Sequence, residues 1–348
     1  MSSPKKAPSK LEKPVDGVVT LEQVALAAGV SPSTVSRILN GTATVSSAKQ
    51  ESVQRAIREL GYRPNPVARG LAGGRTLSIG VVTQVISSPF YGEALLGIER
   101  ELERADYVPL FVSGNWHEDD ERKALQTLLA RRVDGVIVLA GSLGDEELIE
   151  VSRSVPMVVV GRRLQQPRLF SFAFDSRTGA RLATEHLIEQ GHHRIVLITG
   201  DLMHDDAVER RQGYLDALAA AGISPDPELI VHGDYNEASG MLVVNQLLDR
   251  HVRFSAIFAS NDQMAFGAAL ALSRRNMRVP DDVSLVGFDD VIMARYTVPP
   301  LTTVRQSVYE IGTEAAIAML AMLRGETPKA RPPEPALVLR ESTRRATR

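Results

Sequence analysis

Apolar residues recur every three or four positions in the first sixty residues. Beyond residue 76 they gather instead into short unbroken runs that alternate with helical stripes. In TLEQVALAAGVSPSTVSRILN (20–40), Leu21, Val24 and Ala25 share a helical face that Ala28 closes. Gly29 tolerates a left-handed backbone and ends that helix. Ser31 can cap a second helix, and Pro32 suits its first position, where the missing N–H costs little. Val35, Ile38 and Leu39 form its buried stripe, and Asn40-Gly41 stops it. A third helix is expected at about Ala48–Leu60, with Val53, Ile57 and Leu60 inward, Gly61 as its stop and Tyr62 packing back.

Two short helices joined by a tight corner, with small residues at Ala25, Ala28 and Gly29, have the layout of a helix-turn-helix. Such a motif enters the DNA major groove by the N-terminal end of its second helix. The exposed groups there are short hydroxyls (Ser31, Ser33, Thr34, Ser36) and a longer arginine, Arg37. Hydroxyls and free N–H groups at a helix start bind phosphate well. The candidate DNA contacts in this part are Thr20, Ser31, Pro32, Ser33, Thr34, Arg37 and Asn40. The competing reading is a purely structural helical hairpin with ordinary caps. Charge favours the former. Residues 1–76 hold eleven Lys/Arg against five Asp/Glu, a net +6, while the remainder holds 29 against 37, a net −8. A basic head on an acidic body meets a polyanion with the head alone. Residues 1–19 are expected to be a disordered basic arm and 20–64 the DNA-binding domain.

Residues 65–76 follow as a hinge. Pro64-Asn65-Pro66 leads into VARGLA and then Gly73-Gly74. The segment is helix-compatible but too short to be helical unaided, since isolated helices under about 12 residues are marginal in water. Leu71 stands among small residues, as a wedge into a minor-groove base step would. Asn65, Ala68, Leu71 and Ala72 are therefore candidate contacts. The alternative is a flexible linker with Leu71 packed on a neighbour.

From residue 77 onward strands and helices alternate, which predicts parallel α/β architecture in two series and thus two subdomains. No close internal repeat relates them. Ligands sit beyond the carboxyl ends of parallel strands. The residues there are Phe90 and Tyr91, Trp116 (the only tryptophan), Arg162, Asp175, Arg210, Asn261 and Asp289. Aromatic faces beside planar polar groups suit a neutral polyol, with rings on its C–H faces and Arg, Asn and Asp on its hydroxyls. Each also has a structural reading: Asp289 as a loop cap, Arg210 as a surface ion pair, Phe90 as core.

TLEQVALAAGVSPSTVSRILNG followed by VSSAKQESVQRAIRELGYRPNPVARGLAGGRT resembles the LacI/GalR family of bacterial transcription regulators, and the resemblance runs from about residue 20 to the C-terminus. It implies a small all-α helix-turn-helix headpiece, a hinge helix, and a two-subdomain α/β core like that of periplasmic sugar-binding proteins. It implies base contacts at Pro32, Ser33 and Arg37, operator insertion at Leu71, and effector contacts at Arg210, Asn261 and Asp289. The lactose repressor carries longer polar or aromatic side chains where Pro32 and Ser33 stand, so a different operator sequence is expected here. The implied partners are double-stranded, near-palindromic operator DNA, a second copy of the chain, and a small effector. A mono- or disaccharide is the first expectation, with a purine second. No leucine heptad tail closes the chain, so a homodimer is expected rather than a tetramer, with the dimer surface on the first subdomain, including the helix at 91–105.

The remaining features mostly exclude. There is no cysteine, which rules out a disulfide framework and fits a reducing, cytoplasmic setting. No apolar run reaches about 18 residues, so no membrane span is expected. The N-terminus has no secretory signal pattern, which argues against a sugar-binding transport protein. No HExxH, G-x-S-x-G or phosphate-loop sequence occurs, and the glycines at 70–74 do not follow a strand. Neither enzyme activity, metal nor cofactor is expected. His192-His193, just before Arg194, is expected to be exposed at a turn.

Overall fold

A computed structural model describes residues 19–39, 45–62, 75–164 and 166–346. The calls on Asn40, Asn65, Ala68, Leu71 and Ala72 lie outside the described residues. The chain divides into two compact units, residues 1–76 and 77–348.

The first unit holds α1 (Leu21–Ala28), α2 (Pro32–Leu39) and α3 (Ser47–Leu60). Thr20 and Gln23 form a reciprocal capping box, so two N–H groups of the first turn are satisfied. Gly29 ends α1 at φ +67°. Val24, Ala25, Ala28, Val35, Val53 and Ala56 make the core, with Ile38, Leu39, Ile57, Leu60 and Tyr62 packed at its edge. Ser52 on α3 donates to the Ala28 carbonyl at 3.0 Å, which ties the corner between α1 and α2 to the third helix.

The second unit carries two sheets. One is all-parallel, in the order β2 (Val108–Ser113), β1 (Ser78–Thr83), β3 (Gly135–Leu139), β4 (Met157–Val160), β5 (Leu169–Phe172). The other has the order β11 (Ala336–Val338), β10 (Thr302–Arg305), β9 (Ser284–Asp289), β8 (Ala256–Ala259), β6 (Ile195–Thr199), β7 (Ile230–His232) and is parallel except for β11. Period-two alternation divides each run between two buried faces. In the first sheet Ile79, Val81, Ile137, Val158 and Val160 pack on α4 (Pro89–Arg104) and α11 (Val308–Leu323). Val82, Val136, Val138, Met157 and Val159 face α5 (Glu118–Ala130) and α6 (Asp145–Ser152). The second sheet is covered by α7 (Ser176–Glu189) and α8 (Asp205–Ala220) on one face, and by α9 (Glu237–Asp249) and α10 (Asp262–Arg274) on the other.

The chain crosses between these subdomains three times: after β5, after β10, and between α11 and β11. The last helix therefore completes the first subdomain. Gly312 lets it approach α4 so closely that an added β-carbon would lie 2.0 Å from the Ala94 carbonyl oxygen. The expectation for His192 is corrected. It is buried, with Nδ1 2.9 Å from Ser255 Oγ and Nε2 near Ser284 Oγ and the Arg344 carbonyl. Burial holds its pKa below the usual imidazole value. Only His193 of the pair is exposed.

Candidate functional site

Helix α2 presents Ser31, Pro32, Ser33 and Arg37 to the exterior, while Thr34 is half-buried. The Ser31 hydroxyl caps the helix, accepting the Thr34 N–H at 3.3 Å, and lies 2.9 Å from Ser33 Oγ and 2.8 Å from Thr34 Oγ1. Arg37 Nε donates to the Ser33 carbonyl one turn back, which lays the guanidinium along the exposed face. Ser31, Ser33 and Thr34 thus gather at the N-terminal end of α2, and Arg37 lies in its last turn, one turn on from Ser33. Thr20 is exposed at the start of α1, with its hydroxyl held in the capping box.

In the second unit two adjoining chambers of 380 and 290 Å³ lie between the subdomains, and both are lined by Phe90, Tyr91, Trp116 and Asp206. Sites for small ligands commonly have about 300–1,000 Å³. Arg210, Asn261 and Asp289 line the first chamber, and Arg162 the second. Seven of the eight predicted effector residues therefore meet at one cleft.

Arg210 is its electrostatic centre. Only 3% exposed, it is no surface ion pair. Its guanidinium donates to the Ser260 carbonyl, stacks 4.1 Å from the Phe288 ring, and lies 3.5 Å from Asp206 and 3.8 Å from Asp289. Its buried Nε has no hydrogen-bond partner among the described residues. Asp289 ends β9 at φ +108° and Asp290 follows at +59°, two strained conformations that send neighbouring carboxylates apart. Asp290 binds Arg305 at 2.7 Å and Arg340 at 2.5 Å, whereas Asp289 faces Arg210 and accepts from Gln306 Nε2 at 3.2 Å. Burial pushes the Asp289 pKa up to about 7, against the opposing pull of Arg210 and Gln306. Asn261 caps α10 through the Met264 N–H at 2.9 Å, and its amide donates to the Tyr235 carbonyl at 2.8 Å. Phe90 is both core and wall: it packs at the edge of the first-subdomain core and lines each chamber.

Trp116 follows Asn115 in a left-handed turn (φ +54° and +59°), and its ring stacks 4.1 Å from His204 of the opposite subdomain. Ser88 Oγ and Gln263 Oε1 make a second contact across the cleft at 3.3 Å.

Two predicted residues play other roles than expected. Asp175 is exposed and absent from both linings; its carboxylate caps α7, accepting the Thr178 N–H at 3.0 Å. Arg162 borders the second chamber, but its guanidinium is engaged by the Gly141 and Leu143 carbonyls and by Asp145. It shapes a loop first. Asp206 and Tyr235 escape the sequence reading. Asp206 lines both chambers, pairs with Arg210 and accepts the Tyr235 hydroxyl at 3.1 Å.

The Asp289 shift makes two predictions. Folding raises this pKa, so the folded chain binds more protons than the unfolded one between about pH 4 and about pH 7. Its stabilising contribution is complete below that window and is lost as pH rises through about 7. A hydroxylated ligand that donates to the ionised carboxylate should bind more weakly at about pH 6 than at about pH 8. Titration calorimetry on Asp289→Asn should show that dependence flattened; an unchanged slope assigns it elsewhere.

Comparison with known proteins adds an independent line. The family description "Bacterial regulatory proteins, lacI family" matches residues 20–65, and "Periplasmic binding protein-like domain" matches 184–343. The HTH-type transcriptional regulator GalR of Escherichia coli K12 is 38% identical over 306 residues, 88% of this chain and 89% of that protein. Among solved structures, the transcriptional regulator CelR–cellobiose complex is 37% identical over 93% of this chain and 99% of its own, with a TM-score of 0.69. The lac repressor dimer bound to operator and the anti-inducer ONPF is 32% identical over 94% and 99%, with a TM-score of 0.86.

Proposed function

The chain belongs to the LacI/GalR family of DNA-binding bacterial transcription regulators, and from that premise we propose that it represses carbohydrate-utilisation genes under the control of a sugar held between its two core subdomains. The observation that carries this reading is the pair of chambers walled by both subdomains, with aromatic faces beside Arg210, Asn261 and Asp289. Occupancy changes how the subdomains meet across Trp116–His204 and Ser88–Gln263. As a homodimer in the cytoplasm, the protein places two headpieces on the half-sites of a near-palindrome, two hinges (65–76) fold in the central minor groove, and Leu71 wedges a base step. An exposed apolar group, Ile292, Met293, Tyr296 and the 99% exposed Val298, offers the dimer further surface beyond that of the first subdomain. No described helix is long and apolar enough to cross a membrane.

The test is reciprocal titration. Sugar should change operator affinity by some factor, typically worth about 1–3 kcal/mol, and operator should change sugar affinity by the same factor. Sugar binding without any effect on operator affinity overturns the proposal.

Two substitutions test the DNA end. Arg37→Ala should cost about 1–3 kcal/mol on the specific operator if the guanidinium reads a base. An equal loss on random-sequence DNA would reduce Arg37 to a phosphate contact. Leu71→Ala should remove operator bending, read by gel-shift phasing, while the heat of sugar binding stays unchanged; undiminished bending eliminates the wedge.

A further inference from the structure

The second sheet carries a cavity at the end that the cleft does not use. Strands β6, β8 and β9 are parallel, and the cleft residues Asn261 and Asp289 follow β8 and end β9. The opposite ends of β6 and β8 therefore face away from the cleft. There a hollow of 630 Å³ opens between the turn 191–194, the segment 253–255 and Ala346 of the C-terminal tail. His193, Arg194 and Arg253 line it, and none of the described residues lining it is acidic.

Backbone contacts fix its frame. The Ser255 N–H donates to the Arg194 carbonyl at 3.0 Å, and Arg194 Nε donates back to the Arg253 carbonyl at 2.6 Å. Two guanidinium-bearing residues are thereby set side by side. Behind them buried His192 holds Ser255 Oγ at 2.9 Å and lies 3.0 Å from the Arg344 carbonyl. The tail is tied to the same turn, since the Ala346 N–H donates to the Gln190 carbonyl at 2.8 Å. Three segments far apart in sequence are locked around one opening.

Charge at the opening is unbalanced. Asp226 pairs with Arg194 at 3.1 Å, and Asp281 with Arg344 at 2.8 Å. The side chains of His193, Arg253 and Arg345 are exposed and have no partner among the described residues. Helices α7 and α9 end nearby, at Glu189 and Asp249, and their C-terminal carbonyls attract cations. That accounts for basic residues at this end of the sheet, but it does not require them to share a hollow. A guanidinium offers a planar fork of N–H donors that matches a phosphate group.

We propose that this hollow binds a small, multiply charged phosphate anion, with Arg253 and Arg194 as its principal contacts and His193 at its edge. The anion bridges the turn after α7, the approach to β8 and the tail, so it stabilises the second subdomain from the end away from the cleft. Its contacts are exposed, so affinity falls as salt rises.

The experiment is titration calorimetry and thermal unfolding of the full-length protein with inorganic pyrophosphate, with citrate, and with sodium chloride at matched ionic strength. Pyrophosphate should bind saturably, one per chain, and raise the unfolding temperature of the core. Arg253→Gln removes the charge from a side chain that holds nothing else in place. It should weaken pyrophosphate binding at least about tenfold and leave operator affinity unchanged. The basic headpiece also attracts anions, so Arg37→Ala locates the binding: pyrophosphate affinity should stay within about twofold of the parent. The site is overturned by an absence of saturable binding, by equal responses to citrate or chloride, by undiminished binding in Arg253→Gln, or by a loss in Arg37→Ala as large as that in Arg253→Gln. None of these outcomes touches the sugar-regulator reading, which rests on the other end of the sheet.

Discussion

Arg210→Met should leave operator binding in place and abolish the effector response. The side chain is buried among Ser260, Phe288, Asp206 and Asp289, so methionine keeps much of the packing while removing the only cation lining the first chamber. Buried Asp289 and half-buried Asp206 then face one another without the cation between them. Loss of one partner from a buried charge group costs about 3–5 kcal/mol, so thermal unfolding of the core should shift markedly. Ligand affinity should fall by about a hundredfold, as expected for losing a charge-assisted contact of about 3 kcal/mol. The pKa of Asp289, which Arg210 holds down, should rise further above about 7. A normal effector response in a folded Arg210→Met protein would remove the residue from the site. The headpiece has its own core, which is why DNA binding is the right control.

Gly267→Ala should be nearly as damaging, although it adds one methyl group. The new β-carbon would lie 1.8 Å from the Glu237 carbonyl oxygen and 2.8 Å from the Met241 nitrogen. Both are backbone atoms, so no rotamer change relieves the clash and α9 must move away from α10. Overpacking of this kind costs about 3 kcal/mol or more. The functional consequence follows from what the helix starts carry. Asn236 caps α9, Asn261 caps α10, and both side chains line the first chamber. Separating the helices misplaces both caps, so sugar affinity should drop with stability. Unfolding in urea and sugar titration would report the two losses; a variant as stable as the parent would mean that these helices can separate at little cost.

The sequence shows some of this architecture clearly because local chemistry repeats what packing requires. Gly29, Ser31-Pro32 and Gly61 mark helix ends by conformational need alone, and the strands declare themselves as buried apolar runs. The helix Asp145–Ser152 carries little signal, because only Leu148 and Ser152 are buried on it, too few to show a period. At the cleft, the strand-end rule finds Asn261 and Asp289, which follow or end apolar runs, whereas Arg210 lies in the helix that comes after one. Asp206 is one of three acids in DLMHDD, and nothing in local spacing says which will meet Arg210 one turn on. Asp175 shows the opposite error. Its place before Ser-Arg-Thr is a capping signal, and a carboxylate engaged with its own helix has less to offer a ligand. Buried Glu121 is invisible for a further reason: its partners, the N–H groups of Ser142 and Leu143 in the wall of the second chamber, are backbone and carry no mark in the sequence.

The route of the chain back through α11 also bears on how the molecule is made. On the ribosome the headpiece has every residue it needs once the first sixty or so have emerged. The first subdomain has not, because Ile311, Ala315 and Met319, in the middle of its core, are translated only after most of the second subdomain. Nascent chains therefore spend most of translation with a finished DNA-binding end and an unfinished sensor. Chains cut short before residue 308 would lack a core helix of the first subdomain, one of the two walls of the cleft, so the cleft is completed late.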